Sequence, residues 1–258
     1  MRTLFRSIAT TACLATLHLA WGISSSQATV DVIPEVTDAP PPHVELTQFL
    51  LQEVEHPEQL AGYRIAILAT DDVDGFDLEV PRRFLTERGA TVHVIVPRPA
   101  GLVRATGSGA IILQKTHLAI VNPSGERDEA SIDRFLDQVV PGSYDAVYVP
   151  GHRGSIDRLA DDDSVAFLRA TARSGSAIFS ANNAVLVIAR AGLLDSLLQV
   201  GGFAGAEGTL RGAAYPTAAD APPGTIAGVY VSRNAFEMPQ LMNRLVAALI
   251  SRPAISDR

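Results

Sequence analysis

Four short apolar runs recur along the middle of the chain, each bounded by polar or glycine-containing segments. They are almost continuously hydrophobic rather than alternating, which is typical of strands buried on both faces of a parallel sheet. The predicted strands are Arg64–Thr70, Thr91–Val96, Tyr144–Val149 and Ser176–Ala181, with a further strand near Gly228–Val231. The pattern therefore predicts a sheet in the centre of the domain.

Segments with helical periodicity lie between these runs. The predicted helices are Leu78–Arg88, Asp128–Val139, Val165–Arg173, the apolar segment that ends at Gly192, and Phe236–Ile250, and a hairpin is predicted within Leu102–Ile120. Alternating strands and helices indicate the α/β class. We expect a flavodoxin-like, doubly wound, mostly parallel sheet with helices on both faces.

The carboxyl ends of the predicted strands carry the residues of most interest. In doubly wound folds ligands bind beyond these strand ends. The loops there are Asp71–Asp77, Pro150–Ser155 and the pair Asn182–Asn183. The last of these lies in a strand, sharp turn and helix spanning Ser176–Leu194, a corner that often presents a nucleophile in α/β enzymes. Neither asparagine is an ordinary hydrolytic nucleophile.

The first 28 residues have the pattern of a secretory signal peptide. Met1, Arg2 and Arg6 precede the apolar segment Ile8–Ile23, and Ser26 and Ala28 provide the small residues of a cleavage site. We expect cleavage after Ala28 and a periplasmic or secreted mature protein without a stable membrane anchor. The alternative is a retained anchor, although the apolar run is short for a bilayer span.

The rest of the chain divides into three parts. Residues 29–61 are predicted to form a proline-rich linker, Thr29–Pro42, followed by a short helical extension, Val44–Val54. Residues 62–252 form the predicted α/β domain, and residues 253–258 form a C-terminal tail.

Cysteine content and charge exclude several functions. The only cysteine, Cys13, lies in the signal peptide, so the mature chain is expected to have neither a disulfide nor a thiolate nucleophile. The full chain has a net charge of -7, and removal of the two signal-peptide arginines leaves 19 basic and 28 acidic residues, a charge of -9. This balance argues against nucleic acid and anionic membranes as partners. Lys115 is the only lysine among the 21 basic residues. We interpret this as a general preference of the chain for arginine rather than as the sign of a functional site, although Lys115 is worth mutating.

Acidic clusters and histidines give no support for a metal site. Asp71, Asp72 and Asp74 follow the first strand, and we expect them to be solvated loop acids rather than cation ligands. Three further acids, Asp161–Asp163, precede a helix and are best explained as caps. The histidines lack ligand-type spacing, so neither a metal nor another cofactor is predicted.

Several motifs together resemble the ThiJ/PfpI branch of the class I glutamine amidotransferase-like superfamily. They are the turn Val149-Pro150-Gly151, the corner followed by Ala191-Gly192-Leu193-Leu194, and the ungapped stretch from Val73 through Leu78, Arg82-Arg83 and Gly89-Ala90. The similarity is closest to the C-terminal domain of large-subunit catalases. It covers about Gly62–Ile250 and is firmest over Arg64–Pro97 and Tyr144–Leu194.

The resemblance implies a pocket formed by Asp77, Gly151, His152, Asn182 and Asn183. Active members have a cysteine and usually a histidine at the corner, a glutamate on the first helix and a Gly-Gly pair. The corresponding positions here are Asn182, Asn183, Asp77 and Gly151–His152. The catalase domains also lack the nucleophile and have no established reaction, so the resemblance implies a fold from which cysteine chemistry has been lost and no catalytic residue is assigned.

Alternatives remain for the individual pocket residues. Asn182 and Asn183 either bind a polar ligand at the helix start or satisfy a strained turn that asparagine tolerates. His152 either pairs with Asp77 as a base or is a solvated loop residue.

Two functions follow from these alternatives. The first is a non-catalytic binding or structural module for a small molecule or a protein partner, including a homo-oligomer. The second is a non-thiol enzyme, of hydrolase or lyase type, that uses His152 and Asp77.

Overall fold

The computed structural model describes residues 30–32, 50, 54–98, 115–153, 156–194 and 228–252. The predicted signal peptide, most of the linker and its helical extension, the first part of the predicted hairpin, residues 201–224 and the C-terminal tail lie outside the described residues. Within the described part of the chain, each helix is too short or too polar to span a bilayer.

The central sheet has seven strands among the described residues, and every pair is parallel. Its strands are β1 (Val30–Val32), β2 (Arg64–Leu68), β4 (Thr91–Val96), β7 (Arg134–Phe135), β8 (Ala146–Val149), β9 (Ala177–Ala181) and β10 (Val229–Ser232). They lie in the order β1-β10-β9-β8-β2-β4-β7. The chain passes from β2 to β4 on one side and returns to β8 on the other, so the loops after β2 and β8 meet at a topological switch point.

Helices cover both faces of this sheet, which confirms the predicted doubly wound α/β fold. They are α1 (Gly75–Thr86), α2 (Asp162–Arg173), α3 (Val185–Arg190) and α4 (Met238–Ile250). Alternate strand residues face opposite layers: Ile65 and Ile67 pack in the cluster that includes α1 and α4, whereas Ala66 and Leu68 pack in the cluster that includes α2 and α3. Burial on both faces explains why the strands are continuously apolar.

The starts of α1 and α2 follow the capping rules. Asp161 accepts the Ser164 N–H at 2.7 Å and caps α2, as predicted. Asp74 accepts the N–H groups of Phe76 and Asp77, so α1 begins at Gly75 and includes Asp77 in its first turn. Asn234 caps a single 3₁₀ turn, Ala235–Glu237, rather than α4 itself.

The predicted helix Asp128–Val139 is wrong. The segment instead contains β6 (Arg127–Ser131), β7 and a 3₁₀ turn, Leu136–Gln138. β6 pairs antiparallel with β5 (His117–Val121), and β5 pairs with β3 (Val73–Asp74), which gives a second, three-stranded sheet. Only Ala130 is buried in β6, so the five residues lack the apolar face that a helix needs, and pairing with β5 satisfies their backbone instead.

Two other predicted boundaries need correction. The described part of the predicted hairpin contains a single strand, β5, which turns back through residues 122–126 into β6, and residues 102–114 lie outside the described residues. Residues 30–32 of the predicted linker form β1, which pairs in parallel with β10 through Val30↔Val229 and Val32↔Val231. An open strand edge on β10 provides the hydrogen-bonding groups that order these three residues.

Candidate functional site

The corner after β9 has the strained geometry that the sequence predicts. β9 ends at Ala181, and Asn182 then adopts a φ of +53°, a left-handed conformation that asparagine tolerates better than most residues. A 3₁₀ turn, Asn182–Ala184, leads directly into α3. The strained backbone turn is thus retained, with an amide side chain at its apex.

Asn182 contacts the carboxyl group of Asp77. The Asn182 Nδ2 donates a hydrogen bond to Asp77 Oδ2, and the same oxygen accepts the Gly151 N–H at 3.1 Å. Asp77 is 1% exposed, and its other oxygen, Oδ1, is buried without a hydrogen-bond partner among the described residues. A buried carboxyl oxygen without a protein donor is an unsatisfied polar group, which most folded proteins avoid.

Gly151 allows these three groups to meet. A Cβ at this position would lie 2.5 Å from Asp77 Oδ2 and 2.9 Å from the Cβ of Asn182. A larger residue would therefore push the loop after β8 away from both side chains. The close approach, rather than an unusual backbone angle, explains the glycine at this position.

Asn183 holds the same loop from the other side. Its Oδ1 accepts the His152 N–H at 2.9 Å, and its Nδ2 donates to the His152 carbonyl oxygen at 2.9 Å. These two bonds satisfy both backbone groups of one residue. Asn183 is therefore a positioning residue, and its side-chain amide is already used by the protein.

His152 is buried, so the alternative that it is a solvated loop residue is wrong. The side chain is 6% exposed. Nε2 accepts the Thr70 N–H at 3.3 Å, so Nδ1 carries the proton and donates to the Pro150 carbonyl oxygen at 3.1 Å. Burial lowers the pKa of His152 to about 4 against smaller opposing contributions from its hydrogen bonds and from Asp72. The ring is consequently neutral near pH 7, with both nitrogens engaged.

Asp77 has the opposite electrostatic behaviour. Burial, followed by the charge of Asp74, raises the pKa of Asp77 to about 7, although the hydrogen bonds from Asn182 and Gly151 and the charge of Arg153 oppose the shift. The carboxyl group therefore changes protonation near neutral pH. It is the titrating group of the pocket, a role that sequence reasoning had divided between Asp77 and His152.

A crevice of about 250 Å³ opens above these residues. All five predicted pocket residues line it, together with Asp74, Arg153, Asn234, Ala235 and Phe236. The Arg153 side chain is 41% exposed at the mouth and forms an ion pair with Asp74. Asn234, Ala235 and Phe236, which come from the 3₁₀ turn before α4 and its cap, were not predicted, because nothing in their local sequence distinguishes a pocket wall from an ordinary cap.

Tyr148 supports the pocket from below and was also missed. Its hydroxyl donates to the Asp77 carbonyl oxygen at 2.9 Å and lies 3.8 Å from Met238 Sδ. It is fully buried in β8 and ties that strand to the first turn of α1. A tyrosine within an apolar strand is the only signal that the sequence gives for such a role.

The acidic cluster after β2 is neutralised by basic residues rather than by solvent. Asp71 pairs with Lys115, Asp72 pairs with Arg127 at 3.3 Å and Asp74 pairs with Arg153. Among the described residues, no group of three or more potential ligands is arranged to hold a metal ion. The expectation that these acids are solvated is wrong for Asp71 and Asp74, whose side chains are 25% and 12% exposed.

Comparison with known proteins places this geometry in a family. A model of the DJ-1/PfpI family matches residues 63–248. The curated relative "DJ-1 protein homolog F" of Arabidopsis thaliana is 25% identical over 145 residues, which are 56% of this chain and 35% of that protein. The chain thus spans about a third of the length of this relative.

Solved structures with a similar fold were also found. A DJ-1 superfamily protein of Salmonella typhimurium, crystallised as a Cys-to-Ala mutant, has 16% identity and a TM-score of 0.49, over 73% of this chain and 91% of that one. A ThiJ/PfpI domain protein of Brachyspira murdochii has 14% identity and a TM-score of 0.49, over 75% and 99%. The family match spans most of the α/β domain, including the corner and the whole pocket. The chain therefore belongs to the DJ-1/PfpI family.

Proposed function

We propose that this chain is an exported, non-catalytic binding domain that holds a small polar molecule in the crevice above Asp77 and Asn182. The observation that carries the proposal is the buried Oδ1 of Asp77, which has no hydrogen-bond partner among the described residues. Burying a polar atom without a partner costs about 1–3 kcal/mol. A ligand that hydrogen-bonds to this oxygen would recover that free energy, and because the oxygen is buried, such binding requires the side chains around Asp77 to move aside.

The absence of thiol chemistry rests on the residue at the corner. Asn182 cannot form a thioester, and the sole cysteine, Cys13, lies in the predicted signal peptide. The predicted resemblance to the catalase C-terminal domain agrees with this interpretation, because those domains also lack the nucleophile. The proposal fails if the purified protein shows peptidase, deglycase or amidase turnover that Asn182→Ala removes.

The chemistry of the crevice favours a ligand with an uncharged polar group. Near pH 7 Asp77 is partly protonated and is able to donate or accept a hydrogen bond. Arg153 adds a positive charge at the mouth, although Asp74 offsets it. Phe236 and Ala235 provide the apolar part of the wall. A molecule of metabolite size with one polar end fits these surroundings.

A thermal-shift screen of a metabolite library tests the proposal. A ligand at a concentration of about 100 times its Kd should stabilise the fold by about 2.7 kcal/mol. Asp77→Asn should weaken binding, whereas Glu79→Gln, an exposed acid on the same helix, should leave it unchanged. A ligand that binds both variants equally would place the binding site elsewhere.

The alternative function is a non-thiol hydrolase or lyase. The raised pKa of Asp77 favours it, since a general acid or base works best near the pH of the medium. His152 does not support it, because Thr70 occupies the lone pair of Nε2. Activity that depends on Asp77 would favour this function, and activity that also survives His152→Gln would assign proton transfer to Asp77 alone.

A structural role with a protein partner or a second copy of the chain remains part of the first proposal. Light scattering of the purified protein measures self-association directly. A saturable small-molecule shift that is independent of protein concentration would favour the small ligand over the oligomer.

A further inference from the structure

A second cavity, of about 500 Å³, lies at the carboxyl ends of β2 and β4. We call it the basic cavity and define it by Thr70, Asp71, Arg98, Lys115, Arg158 and Asp161, which line it together with Val96 and Pro97. It shares no lining residue with the crevice above Asp77. The cavity therefore requires its own explanation.

The polar lining of the basic cavity contains more basic than acidic side chains. Three basic side chains, Arg98, Lys115 and Arg158, face two carboxylates, Asp71 and Asp161. Asp161 is partly engaged, because its Oδ1 caps α2 through the Ser164 N–H. Asp137, outside the cavity, pairs with Arg98, so Lys115 and Arg158 are the two lining cations that remain to be considered.

Asp71 is shared between two cations. It forms a close ion pair with Lys115, and its other oxygen accepts the Ala119 N–H at 2.9 Å. Arg158 Nη1 lies 4.0 Å from the same carboxylate and its side chain is 71% exposed. One carboxylate cannot neutralise both, and Arg158 has the longer and weaker contact. The Arg158 guanidinium is thus the group best able to turn towards a ligand.

Arg98 provides a fixed wall rather than a mobile contact. Its Nε and Nη2 donate to Asp137 at 2.8 and 3.0 Å, and its guanidinium lies 4.5 Å from the centroid of the Phe135 ring. Such bidentate, stacked arginines hold their orientation. Because Asp137 offsets the charge of Arg98, Arg98 shapes the wall of the cavity, and Lys115 and Arg158 are the cations that would meet a ligand.

We propose that the basic cavity binds a small organic anion through a phosphate or carboxylate group held by Lys115 and Arg158. The planar guanidinium matches both oxyanions, and charge-assisted hydrogen bonds are about twice as strong as neutral ones. The volume suits a molecule of metabolite size. This site is independent of the crevice above Asp77, so the two proposals fail separately.

The single lysine gives a direct test. Reductive ¹³C-methylation of the purified protein keeps the lysine charge and labels only Lys115 and the terminal amine. Inorganic phosphate and citrate are then titrated separately, and the methyl resonance of Lys115 is followed by NMR. Lys115→Gln assigns that resonance by removing it. Sodium chloride at matched ionic strength measures the non-specific effect of salt.

The expected result is a saturable shift of the Lys115 resonance with phosphate, citrate or both, and the anion that shifts it identifies the favoured group. Arg158→Gln should raise the Kd about tenfold, the usual effect of removing a charged hydrogen bond. Arg127→Gln, an equally exposed arginine paired with Asp72 outside the cavity, should leave the Kd unchanged. A shift that sodium chloride reproduces, or equal affinity in both variants, would overturn the proposal.

Discussion

At the scale of single residues, Asp77 and His152 give opposite pH dependence to stability. Asp77 has a pKa of about 7 in the folded state, whereas its ordinary value, which we take for the unfolded chain, is 3.8. Between these two values the folded chain binds more protons than the unfolded chain, so stability falls as the pH rises. His152 has a pKa of about 4 against 6.5, so the unfolded chain binds more protons and stability rises with pH. The two effects largely cancel between about pH 4 and 6.5.

Single substitutions should therefore reveal slopes that the native chain conceals. For Asp77→Asn we expect the free energy of unfolding to rise with pH relative to the native chain over this window, by about 1 kcal/mol per pH unit. For His152→Gln we expect a fall of similar size. Urea denaturation at several pH values measures both, with Glu79→Gln as the control. Parallel curves for all four proteins would contradict the assigned pKa shifts.

A second residue-scale prediction concerns the left-handed backbone at Asn182. Asn182→Ala removes the hydrogen bond to Asp77. It also places alanine, which tolerates left-handed backbone less well than asparagine, at a φ of +53°. We therefore expect the free energy of unfolding to fall by about 2–4 kcal/mol. Asn182→Gly removes the same bond but relieves the backbone conformation, so its loss should be smaller by about 1 kcal/mol. Equal losses would mean that the backbone conformation contributes nothing.

The residue scale also shows what the sequence allows to be predicted. The turn at Asn182 was predictable because it depends on a local pattern, an apolar strand that ends at two asparagines. The state of His152 was not, because it depends on the Thr70 N–H, 82 residues away in the chain. The neutralised acids at 71–74 were missed for the same reason, since Lys115, Arg127 and Arg153 come from other segments.

At the scale of elements, the loop after β8 depends on Gly151. Gly151→Ala should destabilise the protein by about 1–3 kcal/mol, because the new Cβ would overlap Asp77 and Asn182. Gly125→Ala is the matched control: its Cβ would contact nothing, so its cost comes only from a φ of +85°. Unfolding free energy measures both, and ligand binding at the crevice should be lost only in Gly151→Ala. Retained binding in Gly151→Ala would contradict this prediction, because it would mean that the loop after β8 accommodates the new Cβ without disturbing the crevice.

Elements were predicted well where their patterns were long and periodic. The four central strands and the helices α2 and α4 follow directly from apolar spacing. The segment 127–138 was misassigned because its charged residues fit a solvated helix as well as an exposed strand, and only β5 decides between them. Tertiary pairing of this kind is invisible in local propensity.

At the scale of the whole molecule, the export prediction has a simple test. When the full chain is expressed in a bacterium, the exported protein should begin at Thr29, as measured by intact mass and N-terminal sequencing. Ala28→Arg should prevent cleavage, because signal peptidase requires a small residue there. A full-length native chain in the membrane fraction would favour the retained anchor instead.

The predicted cleavage site lies immediately before strand β1, so the position of cleavage affects the sheet. Val30 lies two residues after Ala28 and is already paired with Val229 at one end of the sheet. Trimming by only a few further residues would strip β10 of its neighbour and expose a row of unpaired amides and carbonyls, which are a template for joining other chains. Accurate maturation of the N-terminus would then guard against aggregation, because only the three residues of β1 cover this edge of β10.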